Sequence, residues 1–195
     1  MNRYFTGAIV MLVSMMTATA SAATVLSDFS NFNLTGTYEQ WKSGSFTSAA
    51  NDFRVQANDF GGGWKVLSSP IDATGETALE VQLDINLGNV THELNIVLAD
   101  GDGSDRVYRF NSLAVGADQT LKVALDDFFQ VNNPGSVPGL NLSAITSFHL
   151  QGIFANGLPG LAMDLTFDNL ALVPEPASLG LLGLGVPVLL RRRIK

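Results

Sequence analysis

The feature that most constrains this fold is a two-residue alternation of apolar and polar side chains. In TALEVQLDINL the apolar positions are Leu79, Val81, Leu83, Ile85 and Leu87, and the polar ones are Glu80, Gln82, Asp84 and Asn86. Successive side chains of a β-strand point to opposite faces, so this segment predicts a strand with one buried face. The alternation returns in LAMDLTFDNLAL and in ITSFHLQGIF, and the shorter runs FRVQA, WKVLSS, LNIVLAD, VYRF and LKVAL fit the same pattern.

Turn-forming segments separate these runs: DFGGG, SSPIDATG, ADGDGSD and NNPGSVPG. ADGDGSD, between two predicted strands, is typical of a hairpin connection. No long helical pattern occurs beyond Ala22, and residues 126–129 favour one helical turn at most. Nine or ten strands with one apolar face predict an all-β chain with a single antiparallel β-sandwich, a jelly roll. An N-terminal signal helix and a short hydrophobic C-terminal helix are expected to flank it.

Composition excludes several classes of protein. The chain has no cysteine and two histidines, so a disulfide framework and a cysteine-based metal site are ruled out. Between positions 23 and 172 there are 6 Lys or Arg against 17 Asp or Glu, a formal charge of −11. Nucleic-acid binding requires clustered cations for the phosphates, so we expect no nucleic-acid partner.

The N-terminal segment, 1–22, has the layout of a Sec signal peptide. Arg3 precedes the short apolar run AIVMLVSMM, and Ala20-Ser21-Ala22 matches the A-x-A cleavage pattern. The run is shorter than the roughly 20 apolar residues that a membrane-spanning helix needs. We therefore predict export by the Sec machinery and cleavage after Ala22.

The C-terminal segment, 173–195, has three distinct parts. Pro174-Glu175-Pro176 forms a stiff breaker, residues 177–190 are apolar, and Arg191-Arg192-Arg193 begins a basic end. As a helix, the apolar part would rise about 21 Å, which is short against a hydrocarbon core of about 30 Å. The basic end would stay on the cytoplasmic side. These properties favour a transient stop in the membrane during export over a permanent anchor.

This tail resembles the PEP-CTERM sorting signal of Gram-negative bacteria, in which the same three parts occur in the same order. The resemblance implies recognition and processing by an exosortase, a membrane-embedded cysteine transpeptidase. It also implies delivery to the cell surface or extracellular matrix, through a membrane-associated intermediate. The chain thus divides into a signal peptide (1–22), a β-sandwich domain (23–172) and a sorting signal (173–195).

The body resembles the galactose-binding-like jelly rolls used by many carbohydrate-binding modules. VLSDFS, GGGWKVLSSPID, NLSAITSFHLQG and DLTFDNLAL carry this resemblance. It implies one structural calcium between the first and last strands, held by Asp28 and Asp168, with backbone carbonyls completing the shell. The alternative is that Asp168 points to solvent in an alternating strand. In DGDGSD, Asp100, Asp102 and Asp105 are oxygen donors that suit calcium, but the spacing fails the EF-hand template and favours a polar turn.

A sugar site needs an aromatic face beside hydrogen-bonding side chains, because a sugar offers C–H patches ringed by hydroxyls. Trp64, after three glycines, is the aromatic candidate, although an aromatic residue in WKVL also fits a core position. The candidate polar partners are Asp84, Tyr108, Arg109 and Gln151.

Catalysis has little support in the sequence. Glycoside hydrolysis needs two facing carboxylates, whereas the adjacent Asp126 and Asp127 would point to opposite faces of a strand. The sequence predicts a non-enzymatic protein with a structural or exopolysaccharide-associated role. The alternatives are a specific carbohydrate-binding module and, less favoured, a secreted polysaccharide hydrolase or lyase.

Overall fold

The computed structural model of the chain describes residues 22–48, 50–58, 60–90, 93–102, 104–111, 113–132, 140–153 and 162–174. Within these ranges the helices are three short 3-10 turns, Gln40–Lys42, Leu125–Asp127 and Leu142–Ala144. None of them has the length or hydropathy to cross a membrane. The turn at Leu125–Asp127 overlaps the single helical turn expected from the sequence.

Twelve strands make up the described part of the body, more than the nine or ten predicted. In chain order they are β1 (Thr24–Ser27), β2 (Gly36–Glu39), β3 (Ser45–Ser48), β4 (Phe53–Asn58), β5 (Gly61–Ile71), β6 (Ala78–Ile85), β7 (Glu93–Asp100), β8 (Asp105–Asn111), β9 (Gly116–Ala124), β10 (Phe129–Asn132), β11 (Ile145–Ile153) and β12 (Ala162–Val173).

These strands form two sheets in which every pairing is antiparallel. Sheet A has the order β3-β4-β12-β6-β9, and β1 joins it by pairing with the last part of β12. Sheet B has the order β10-β8-β7-β11-β5-β2. Strands adjacent in sequence seldom lie side by side in the middle of either sheet, so the chain crosses repeatedly between the two layers. The predicted antiparallel β-sandwich of jelly-roll type is confirmed.

The hydrophobic core lies between the sheets and is filled by the apolar half of each alternating strand. In β6, Leu79, Val81 and Leu83 are completely buried, and in β11 so are Phe148 and Leu150. Each such side chain contributes about 1.5–3 kcal/mol by leaving water. The polar residues between them must then face outward, because a strand alternates its side chains.

A cluster of phenylalanines joins the two layers. The fully buried Phe29 ring lies 4.8 Å from Phe32, 5.5 Å from Phe167 on sheet A and 6.4 Å from Phe148 on sheet B, measured between centroids. Phe29 has a φ of 54°, which is unusual for a bulky residue. Its burial outweighs the backbone cost of about 1–3 kcal/mol, because the ring contacts both sheets at once.

Three local predictions were wrong. The turn expected at SSPIDATG begins later, because strand β5 continues through residues 68–71. The glycines of DFGGG were expected to form a turn, but Gly61, Gly62 and Gly63 begin strand β5. Added Cβ atoms would collide with Trp41 at Gly61, with Tyr38 at Gly62 and with Leu34 at Gly63, so the glycines make room for neighbouring side chains. Leu87 was expected to continue the buried face of β6, yet it follows the end of the strand and is 91% exposed.

Candidate functional site

The outer face of sheet B brings together Trp64, Gln151 and Arg109, three of the five residues predicted to bind a ligand. Strand pairing sets them in two neighbouring rows. One row runs Tyr38, Gly62, Gln151, Asn95, Arg109, and the next runs Trp64, His149, Val97, Val107, Phe129. We call this surface the platform face and define it by Tyr38, Trp64, His149, Gln151 and Arg109.

Two aromatic rings form one end of the platform face. The Tyr38 and Trp64 ring centroids are 6.3 Å apart, and the ring planes differ by 19°. Trp64 is neither in an open loop nor in the core, the two positions considered from the sequence. It lies within β5, partly exposed, with its ring 6.4 Å from that of His149. Nearly parallel, partly exposed rings are suited to contacts with the apolar side of a flat ligand.

Polar groups continue from the rings across the sheet. The side chain of Gln151 hydrogen-bonds to Tyr38, while burial of Tyr38 is the larger effect and raises its pKa to about 12. Asn95, on the next strand, is 3% exposed, and its Oδ1 has no hydrogen-bond partner among the described residues. Arg109 lies beyond it, with Nε 3.4 Å from Glu93 Oε2 and Cζ 6.0 Å from the Phe129 ring centroid. An amide, a guanidinium and two aromatic rings thus line this part of the sheet.

Burial also governs the ionisable groups beside the rings. The pKa of His149 is lowered by desolvation, and the nearby Asp105 carboxylate opposes that shift. Desolvation raises the pKa of Asp105, while His149 lowers it and Asp100 raises it further. His149 is therefore a neutral imidazole at neutral pH, able both to donate and to accept a hydrogen bond.

Tyr108 and Asp84 lie elsewhere in the fold. Tyr108 precedes Arg109 in β8 and so faces inward, with its ring 4.8 Å from Phe110 and 5.7 Å from Phe128. Asp84 belongs to β6 in sheet A, where its Oδ1 accepts a hydrogen bond of 2.7 Å from the Asp118 backbone N–H. Neither side chain joins the platform face, so their roles as ligand contacts remain predictions from the sequence.

The predicted calcium ligands lie near the pairing of the first and last strands. Ser27, which precedes Asp28, pairs with Leu170, two residues after Asp168. The Asp28 carboxylate accepts the Ser30 N–H, whereas burial, followed by Asp84, Asp52 and Asp118, raises the pKa of Asp168. In the described part of the chain, no three His, Cys, Asp or Glu side chains are grouped as a metal site requires. Backbone carbonyls would have to supply the other ligands, and the calcium site remains a prediction.

The DGDGSD segment forms the hairpin turn between β7 and β8, as predicted. Asp100 is 3% exposed, and its Oδ1 accepts the backbone N–H groups of Asp102 and Ser104. Its Oδ2 accepts the Asn141 N–H at 2.8 Å. Both carboxylate oxygens are thus engaged by the protein itself, which supports a structural role for this aspartate.

The sequence signals at the two ends fall mostly outside the described residues. Ala20, Glu175, Pro176 and the Arg191-Arg192-Arg193 cluster belong to ranges that the structure does not describe. Ala22 is exposed and Pro174 is partly exposed. Cleavage after Ala22 and sorting through the C-terminal signal remain predictions.

Tyr38, His149 and Asn95 are the members of this surface that sequence reasoning missed. His149 and Gln151 are two positions apart in ITSFHLQGIF, so the sequence predicts that they share one face of the strand. Tyr38 had no such signal, because its place beside Trp64 depends on the pairing of β2 with β5. Asn95 likewise reaches the row through the pairing of β7 with β8 and β11.

No known family description matches this sequence, and no curated protein matches it either. Solved structures do share its fold. A family 11 carbohydrate-binding module from Clostridium thermocellum, in complex with a β-1,3-1,4-mixed-linked tetrasaccharide, gives a TM-score of 0.60 at 18% identity. That comparison covers 80% of this chain and 98% of the module. The family 11 module of the cellulosomal cellulase Lic26A-Cel5E of Clostridium thermocellum gives 0.58 at 19% identity, over 80% and 96%.

An agarase also contains this fold, with a TM-score of 0.57 and 17% identity, over 80% of this chain but 27% of the agarase. The shared region is therefore about a quarter of that enzyme. Together these comparisons establish the architecture: the body of this chain is a jelly-roll β-sandwich like that of family 11 carbohydrate-binding modules.

Proposed function

We propose that this protein is an exported, non-catalytic carbohydrate-binding protein that holds a polysaccharide on the platform face. The observation that carries the proposal is the nearly parallel pair of rings, Tyr38 and Trp64, followed along the sheet by Gln151, Asn95 and Arg109. The rings offer apolar surface to the C–H side of a sugar, and the partly exposed Gln151 and the exposed Arg109 offer hydrogen bonds to its hydroxyls.

The dimensions of sheet B suit a chain of sugars. Six strands about 4.8 Å apart make a surface about 24 Å across, measured perpendicular to the strands. The row from Tyr38 to Arg109 crosses five of these strands. A polysaccharide lying along this row would meet the rings first and the polar groups next, which favours an oligomeric ligand over a single sugar.

The structural neighbours support the same class of ligand. One of them is described with a bound mixed-linked tetrasaccharide, and another is an agarase. We therefore propose a polysaccharide as the partner, with the exopolysaccharide of the producing cell as the natural candidate.

The charges of the platform face support binding without hydrolysis. The two described carboxylates beside it are Glu93, which is paired with Arg109, and Asp105, which lies near His149. Asp105 pairs with Ala99, six positions along β7 from Glu93, so the two backbone positions are about 20 Å apart. Glycosidases place their two carboxyl groups about 5–9.5 Å apart.

The binding proposal is tested by affinity electrophoresis of the full chain in mild detergent. The gels should contain β-1,3-1,4-glucan, agarose or the producing cell's own exopolysaccharide, each with and without calcium. We expect retardation by at least one polysaccharide, and at least a tenfold loss of affinity in Trp64→Ala, which is about 1.4 kcal/mol. Leu87→Ala, which removes an apolar side chain that is 91% exposed beyond the end of β6 in sheet A, is the matched surface control. Retardation by no polysaccharide would overturn the proposal.

We further propose that the protein reaches the cell surface or matrix through Sec export and exosortase processing. This proposal rests on Ala20-Ser21-Ala22, on Pro174-Glu175-Pro176 and on the terminal arginines. Replacing Pro174, Glu175 and Pro176 by alanine should leave an unprocessed, membrane-associated form, detected by mass and by cell fractionation. Normal processing of that variant would refute the sorting route without affecting the binding proposal.

A further inference from the structure

Two glycines lie directly beneath the rings of the platform face. Gly36 on β2 pairs with Trp64 on β5, and Tyr38 on β2 pairs with Gly62 on β5. A Cβ atom added at Gly36 would fall among the six-membered ring atoms of Trp64, 2.5 Å from Cη2 and 2.8 Å from Cε2. One added at Gly62 would meet the phenol of Tyr38, 2.7 Å from Cζ, and also the backbone oxygen of Leu150 at 2.8 Å. Each ring therefore lies over the glycine of the opposite strand.

This reciprocal pairing sets the direction in which the rings face. Side chains on a sheet generally stand roughly perpendicular to it. With glycine opposite, the ring can fold over and cover the exposed backbone, as aromatic residues do over strand glycines. The two ring planes are within 19° of each other, and their centroids are 6.3 Å apart.

The charges on and around the platform face disfavour acidic ligands. Among the described outward-facing positions of sheet B, Arg109 is the single Lys or Arg, because Lys65 and Arg106 alternate to the opposite face. Glu93 lies 3.4 Å from Arg109. Asp105 adds a negative charge, and the body as a whole has a formal charge of −11. Acidic polysaccharides would be repelled by this field, and no surplus cation is present at those positions to bind a sugar carboxylate or sulfate.

We infer that Gly36 and Gly62 hold the Trp64 and Tyr38 rings flat, so that the platform face takes the apolar side of an uncharged polysaccharide and rejects acidic ones. This inference rests on the proposed function and names both the ligand class and the positioning residues of that site. Gly36 and Gly62 contact no ligand themselves; they act by leaving room for the rings.

The test compares Gly36→Ala, Gly62→Ala and Trp64→Ala in the full chain with Gly101→Ala as the matched control. At Gly101 an added Cβ would be in ordinary contact, 3.6 Å from the Ala144 Cβ. The probes are β-1,3-1,4-glucan and agarose, each with its carboxymethylated derivative. We expect Gly36→Ala and Gly62→Ala to weaken binding of the neutral polysaccharide about tenfold, and Gly101→Ala to leave it unchanged. Carboxymethylation should weaken binding to the unaltered protein by a similar factor.

Two measurements on the unaltered protein keep the inference testable if a glycine variant does not fold. The first is the carboxymethyl comparison. The second is the chemical shift of the Gly36 and Gly62 Hα protons, which rings lying face-on above them should move strongly upfield.

The outcomes separate this inference from the proposed function. If the unaltered protein binds and Trp64→Ala does not, but the folded glycine variants bind normally, the glycine part is overturned. Equal binding of neutral and carboxymethylated chains overturns the charge part, and unshifted Hα protons overturn the ring geometry. If the unaltered protein binds neither neutral probe nor the exopolysaccharide, the proposed function fails and this inference fails with it.

Discussion

Replacing Asp100 by alanine tests how the turn between β7 and β8 is held. The carboxylate is 3% exposed and accepts three backbone N–H groups, from Asp102, Ser104 and Asn141. The first two belong to the turn itself, whereas Asn141 lies in the connection that leads into β11. Asp100 therefore ties the hairpin to a second segment of chain, and its removal leaves donors in both without this acceptor.

The loss of stability in Asp100→Ala depends on whether each N–H group that loses its bond to Asp100 keeps another acceptor. A hydrogen bond contributes about 0.5–1.5 kcal/mol net, and more when the acceptor is charged. The Ser104 N–H keeps a bond to Asp102 Oδ1 at 3.0 Å, which reduces its loss. The Asp102 and Asn141 N–H groups belong to exposed residues, although both of their bonds to Asp100 are partly buried. We expect Asp100→Ala to lower the free energy of unfolding by about 3 kcal/mol, which is about 6–12 °C in Tm for a body of this size.

Urea unfolding followed by tryptophan fluorescence measures this difference. Asp72→Ala is the matched control, because Asp72 is exposed and its Oδ1 accepts the Thr74 backbone N–H within its own turn. It should cost about 1 kcal/mol or less. If both variants lose the same stability, the linking role of Asp100 is wrong. If calcium stabilises the unaltered protein but not Asp100→Ala, then Asp100 binds the metal. The purely structural role of its two oxygens as acceptors of backbone N–H groups would then be wrong.

Three further predictions follow from shifted ionisations. Hydrogen bonds from Arg54, with smaller contributions from Gln56 and Asn86, lower the pKa of Asp164 in the folded protein. The ionised carboxylate therefore stabilises the fold above the ordinary Asp pKa, and this stabilisation is lost as the pH falls through the lowered pKa of the folded state. Urea unfolding between pH 7 and 3 should show a shallower acid loss in Asp164→Asn. Burial lowers the pKa of His149, so stability should decline as pH falls below about 6.5, and NMR should give an imidazole midpoint below that value; an ordinary midpoint would contradict its burial. Absorbance at 295 nm should detect a tyrosine midpoint near 12 that Tyr38→Phe removes; its persistence in the variant would assign it to another tyrosine.

The platform face explains a motif whose meaning the sequence obscured. Three consecutive glycines are a usual sign of a turn, because glycine adopts conformations that other residues avoid. Here Gly61, Gly62 and Gly63 have ordinary strand geometry and are small for the sake of Trp41, Tyr38 and Leu34. A glycine can thus be required for the space that a neighbouring side chain occupies as well as for its own backbone conformation. Which of the two reasons applies depends on the neighbouring residue in the folded structure.

The acidic body and the ion pair on the platform face have a common consequence. The long-range field repels anionic ligands, and the described local surface has no cation left to attract them. Recognition would then depend on ring faces and neutral hydrogen bonds, which salt screens little. Binding to an uncharged polysaccharide should accordingly change little with ionic strength.

The sequence by itself determined which side chains of each strand are buried, because a strand's alternation is a local property of the backbone. It placed Leu79, Val81 and Leu83 in the core, and set His149 and Gln151 opposite Phe148 and Leu150. The sandwich followed from repeating that pattern along the body. The alternation could not say where a strand ends, which is why Leu87 was expected inside and lies in water.

The tertiary structure decided which strands lie side by side, and with it the composition of the candidate site. Tyr38 reaches Trp64 only because β2 pairs with β5, although β3 and β4 separate them along the chain. Arg109 reaches the row that begins at Tyr38 only because β8 pairs with β7, which sets it opposite Asn95. Such pairings depend on contacts between residues distant in sequence, and a local pattern does not encode them.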